Sequence, residues 1–136
     1  MRADETTNMA QISLTVDVAV PNGPKLWFRR ALDVEAIDKI DLTIASNIKD
    51  QEVELQPGGA GQVQFLLIVA DPYDAKVSYR VNKKAGDVRA LDQPHFFAGA
   101  GAVSMLDGGA PTKLFLSNNT ADDAKVQILI GRDATP

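Results

Sequence analysis

His95 is the only histidine, so a nucleophilic triad or a general-base scheme would have to be built around it. It sits in Gln93-Pro94-His95-Phe96-Phe97 with no motif beside it. Ser104, in Ala102-Val103-Ser104-Met105-Leu106, lacks the flanking glycines of a nucleophile elbow. A packed or interface histidine is the better reading, and no catalytic residue is assigned. The tracts Gly58-Gly59-Ala60-Gly61 and Gly99-Ala100-Gly101 suggest a phosphate cradle only superficially, because neither is followed by Lys-Ser or Lys-Thr. Carboxylates occur at Asp33, Glu35, Asp38 and Asp41, at Asp71 and Asp74, and at Asp122 and Asp123. Pairs of this kind hydrolyse glycosides or hold calcium when they face each other, but the spacing of a calcium loop is absent and turn carboxylates usually bond the local backbone. No cofactor and no metal site is expected. Asn118-Asn119-Thr120 matches a glycosylation acceptor and is read only as the tip of a hairpin.

The elements that would position these residues are strands. From Gln11 to Val20 the alternation is strict, with Ile12, Leu14, Val16, Val18 and Val20 on one face, and Pro21-Asn22-Gly23-Pro24 stops it. Leu26-Trp27-Phe28 starts a second strand, while Leu32, Ala36, Ile37 and Ile40 leave room for one short helix near 31–40. Ile40, Leu42 and Ile44 alternate again, as do Val53 and Leu55, and Pro57 to Gly61 is a flexible connection. Phe65 to Ala70 is apolar on both faces and predicts a central strand; Val77, Tyr79 and Val81 follow after the turn at Asp71-Pro72-Tyr73-Asp74. Between Gly86 and Gly109 the pattern loosens. Leu114 and Leu116, then Val126, Ile128 and Ile130, read as a closing hairpin. The chain is expected to be all-β: a flexible N-terminal arm over 1–9, then one jelly-roll-like β-sandwich of about eight short strands over 10–136.

At 136 residues, with 45% apolar and 24% charged residues, the chain can afford one hydrophobic core. The net charge of −4 and scattered Lys and Arg argue against a nucleic-acid partner, and the group Arg80, Lys83, Lys84 and Arg89 suits a solvated turn. There is no cysteine, hence no disulfide and no thiol chemistry. The longest apolar run, Phe65 to Ala70, is far short of a membrane span, and residues 1–10 lack the apolar region of a signal peptide, so a chain made in the cytoplasm is expected.

The segments Leu91 to Phe97, Gly99 to Val103, Leu114 to Asn118 and Val126 to Asp133 resemble small β-rich structural proteins of tailed bacteriophages. The resemblance covers the last 45 or so residues and is one of style rather than of a diagnostic motif. It implies a virion component, such as a capsid decoration (cement) protein or a head or tail accessory, located in the virion. Its implied partners are further copies of itself, a trimer among the options, and a major capsid or other virion protein. No catalytic residue carries over.

On this reading the protein is not an enzyme. Its interface candidates are Arg2, Asp4 and Glu5 in the arm, and Pro94, His95, Phe96, Phe97 and Val103 in the apolar, glycine-rich loop. The alternative is a carbohydrate-binding or adhesive sandwich, which needs Trp27, Tyr73 or the Phe96-Phe97 pair in a row on one exposed face. A hydrolase ranks third and needs two carboxylates, or His95 with a carboxylate, converging in a pocket.

Overall fold

The alternation that begins at Gln11 forms strand β1 (Ala10–Ala19), and the Pro-Asn-Gly-Pro turn reverses it into β2 (Lys25–Val34). Asn22 takes the left-handed conformation that such a turn needs, and Gly23 N–H donates to the Val20 carbonyl at 2.8 Å. The computed structural model describes residues 10–55, 62–106 and 110–133. The expected N-terminal arm over 1–9 and the connection at Pro57 to Gly61 lie outside the described residues.

Eight further strands follow: β3 (Ala36–Ile44), β4 (Gln51–Glu54), β5 (Gln62–Asp71), β6 (Val77–Val81), β7 (Arg89–Ala90), β8 (His95–Ala98), β9 (Lys113–Asn118) and β10 (Ala124–Asp133). A single helical turn, α1 (Ala100–Val103), occupies the small-residue tract. A front sheet has the order β3-β10-β5-β8 and a back sheet the order β4-β9-β6-β7, every described pairing being antiparallel. The chain is thus an all-β sandwich with a two-stranded ribbon, β1-β2, attached to it.

Between the sheets, Ile44, Leu66, Ile68, Val126, Ile128 and Ile130 of the front meet Val53, Val77, Tyr79, Val81, Leu114 and Leu116 of the back. This core excludes water from side chains that alternate along each strand, and each fully buried large aliphatic contributes roughly 1.5–3 kcal/mol.

Three expectations change. The possible helix near 31–40 is strand on either side of Glu35: Ala31 to Val34 pairs with β1, and Ala36 to Ile40 pairs with β10. Apolar residues at Leu32, Ile37 and Ile40 fit a helical period by themselves, but long-range ladders settle the conformation. The loose stretch after Gly86 holds two short strands, β7 and β8, which bring the described residues to ten strands. β9 and β10 are not a hairpin, because they lie in opposite sheets.

The crossing between β9 and β10 is fixed by Asn118, which is wholly buried. Its Nδ2 donates to the carbonyls of Ile44 (2.9 Å) and Asp122 (2.8 Å), while its Oδ1 accepts from the Thr120 N–H (3.0 Å) and hydroxyl (2.7 Å). All four hydrogen-bonding positions of the amide are filled.

Candidate interaction surface

The ribbon pairs without interruption from Ala10↔Val34 to Ala19↔Lys25. Ten residues of antiparallel strand extend it roughly 30 Å. One face carries Ile12, Leu14, Val16 and Val18 beside Leu32, Arg30, Phe28 and Leu26, their cross-strand partners in that order. Ile12 and Val34 at the base are buried, but Lys25 to Ala31 are exposed throughout. Val18 (51%), Leu26 (65%), Trp27 (59%) and Phe28 (37%) therefore lie open to water on an arm that leaves the sandwich. Trp27 is on the opposite face from Phe28, with the Arg29 guanidinium 6.0 Å from its ring centre.

The arm is seated on the outer face of the front sheet. Ile12, Val34 and Phe65 form a second buried cluster, flanked by Leu67, Ala98 and Leu129. Gly131 makes the seat possible: a Cβ there would stand 2.6 Å from Ile12 Cδ1 and 3.2 Å from Val34 Cγ1. A hydrogen bond from Glu35 N–H to the Arg132 carbonyl (3.0 Å) fixes the passage from arm to sheet.

Leu67 and Leu129 border the seat, and beyond them the outer face is mixed, with Val69 and Phe96 beside Lys39, Asp41 and Gln127. The register places Lys39, Leu129, Leu67 and Phe96 in one row across all four strands, with Gln127 and Val69 in the row beside it. A shallow depression of about 170 Å³ lies over Leu67, Val69 and Leu129, with Lys39 and Gln127 in its lining. Phe96 is 43% exposed at its edge.

His95 points to the other side of the same sheet. Its Nδ1 lies 2.7 Å from the hydroxyl of Tyr79, and the two rings meet edge to face. Burial pushes the imidazole below its ordinary pKa of 6.5; Asp92 opposes this, Arg89 adds to it, and a hydrogen bond with the Ala90 backbone opposes it. The neutral ring and the Tyr79 hydroxyl share this one hydrogen bond, each serving as the other's partner. Burial raises Tyr79 to about 12, with Arg89 acting the other way. Tyr79 is fully buried, so it has no face for a substrate.

The carboxylates are spread out. Asp38 pairs with Arg132 (3.3 Å), Asp41 with Lys39 (3.2 Å), Asp50 with Arg80 (3.4 Å) and Glu52 with Lys113 (3.6 Å). Asp123 and Asp74 accept backbone N–H groups from Ser46 and Lys76. Among the described residues no three His, Cys, Asp or Glu side chains are grouped to hold a metal, and no helix is long and apolar enough to cross a membrane. A polar groove of about 390 Å³ on the back sheet, between Lys49, Arg80, Phe115 and Asn119, contains neither His95 nor a carboxylate pair.

Of the interface candidates, Arg2, Asp4 and Glu5 lie outside the described residues. Pro94 and Phe96 are exposed, Phe97 packs against the core, His95 contacts Tyr79, and Val103 is the buried residue of α1. The sequence reading missed the arm. Its signal was the symmetric spacing of apolar residues about Pro21 to Pro24, Val18 with Leu26 and Val16 with Phe28, which the helical alternative at 31–40 obscured.

The fold and this surface define an all-β sandwich bearing an apolar arm. No family model matches the chain, and no curated protein matches it. Among solved structures it is similar to the Cupin_2 domain of an XRE family transcriptional regulator from Enterobacter cloacae, at 14% identity and a TM-score of 0.45, covering 90% of this chain and 96% of that one. None of these comparisons is with a tailed-phage structural protein, so the capsid-decoration role and the virion location that the resemblance implied are not carried forward. The carbohydrate-binding alternative also falls. Trp27, Tyr73 and Phe96 do not share a face: they lie on the arm, in the loop after β5 and on the front sheet, and Phe97 points into the core.

Proposed function

We propose that this chain is a non-enzymatic assembly module that associates with copies of itself through the β1-β2 arm. The observation that carries this reading is the stripe Val16, Val18, Leu26 and Phe28, which continues from Ile12 and Leu14 at the packed base of the arm onto a length of ribbon whose Val18, Leu26 and Phe28 are exposed. An isolated two-stranded ribbon is marginal in water, and exposed aromatic and aliphatic residues clustered on one element mark a contact surface. Neither His95 with Tyr79 nor the dispersed ion pairs offer a substrate an activated group, which supports the non-enzymatic part.

Sedimentation velocity over a range of protein concentrations tests the reading. The natural protein is expected to sediment as a defined oligomer, and a Leu26→Ser, Phe28→Ser double variant as a folded monomer. A natural protein that stays monomeric at every concentration would sink it.

A further inference from the structure

We infer that the arm of one copy lies across the open outer face of the front sheet of a second copy, with its apolar stripe against Leu129, Leu67, Val69 and Phe96. This rests on the self-association proposed above and identifies the surface that receives the arm.

Continuity of an existing contact is the first argument. Within one chain, the base of the stripe already packs on this sheet face: Ile12 and Val34 sit on Phe65 and over Gly131. Both partners in that contact then continue without each other. Past Leu14 the stripe runs on through Val16, Val18, Leu26 and Phe28 along the arm, and past Leu129 and Leu67 the sheet face runs on to Val69 and Phe96. The arm's ladder is unbroken over ten pairs, with no bulge to bend its outer half back onto its own sheet. The two unused halves match in chemistry, so a second copy supplies to each what its own chain withholds.

Charge is the second argument. Residues 14–30 carry Lys25, Arg29 and Arg30 against Asp17 alone, in a chain whose net charge is −4. The arm is thus the basic part of an acidic molecule, and the body of another copy attracts it.

The chain has no cysteine, so a disulfide between introduced ones reports a single contact. Phe28→Cys on the arm and Val69→Cys on the strip are made as separate proteins, mixed and oxidised. A control mixture pairs Phe28→Cys with Ser78→Cys on the back sheet, whose side chain lines the groove there. The expected result is a covalent heterodimer with Val69→Cys at least ten times more abundant than with Ser78→Cys. In parallel, Val69→Asp, a change on the outer face, is expected to weaken self-association at least tenfold while leaving the thermal transition in place.

Oligomers that form normally but cross-link equally to both sites, or that tolerate Val69→Asp, overturn the assigned surface and leave the assembly reading standing. Absence of any oligomer in the natural protein overturns both.

Discussion

Tyr79 and His95 bring two polar groups to the inner side of the front sheet and satisfy each other there. The arrangement has a sign in pH. The imidazole is held below its unfolded value of 6.5, so just below pH 6.5 the unfolded chain binds a proton that the folded chain refuses. Stability contributed by the neutral ring is present above pH 6.5 and is lost as the pH falls through the lower folded value. Thermal melts at pH 7.5 and 5.5 should therefore show a larger drop for the natural protein than for His95→Gln. Equal drops would remove His95 from the pH dependence. The absence of motifs around His95 was legible from its neighbours, but its partner was not, because Tyr79 lies on another sheet and only the packing of the two sheets joins them. Asn118 makes the same point. Its Asn-Asn-Thr context looks like a surface tag, whereas the amide is the buried clasp of the crossing between β9 and β10.

At the scale of elements, the arm and its seat depend on one absent side chain. Replacing Gly131 with valine places a branched carbon where Ile12 and Val34 now meet the sheet, and overpacking of this kind costs about 1–3 kcal/mol. Gly131→Val is expected to lower the denaturation midpoint and to speed hydrogen exchange at the base of the arm, while the amides of β6 and β9 keep their relative protection. Unchanged exchange at Ile12 and Val34 would show that the seat does not hold the arm. Strands with period-two alternation were legible one by one: β1, β5, β6 and β10 lie within a few residues of where their apolar residues predict them. What alternation does not contain is how much of a face is covered. Ile12 and Val18 have the same residue class and the same side of one strand, yet one is buried and the other half exposed, because the sandwich ends beneath the middle of β1. Nor does it contain strand partners, which is why β9 and β10 look like a hairpin in sequence and belong to different sheets in space.

For the whole molecule, the sandwich and the arm are separable in energy. Nineteen of the most buried apolar residues form the core between the sheets, and none of them lies in β1 or β2. Replacing residues 14–30 by a short turn between Ser13 and Ala31 should therefore leave a cooperative thermal transition within a few degrees of the natural one, read by calorimetry, and yield a monomer. A loss of cooperative melting would mean that the ribbon is part of the folding unit. The all-β class and the sandwich were legible from the count and spacing of strands, because turns rich in Gly, Pro and Asn separate them; the division into two four-stranded sheets plus a ribbon was not, since it depends on which distant strands pair. That pairing has a consequence for synthesis on the ribosome. When the nascent chain has been made as far as Asn118, every strand of the back sheet exists, but the front sheet still lacks β10, the strand that sits between β3 and β5. Until β10 emerges, β3 has no neighbour in its sheet and one edge of β5 is unpaired, so over that interval the nascent chain offers two open strand edges.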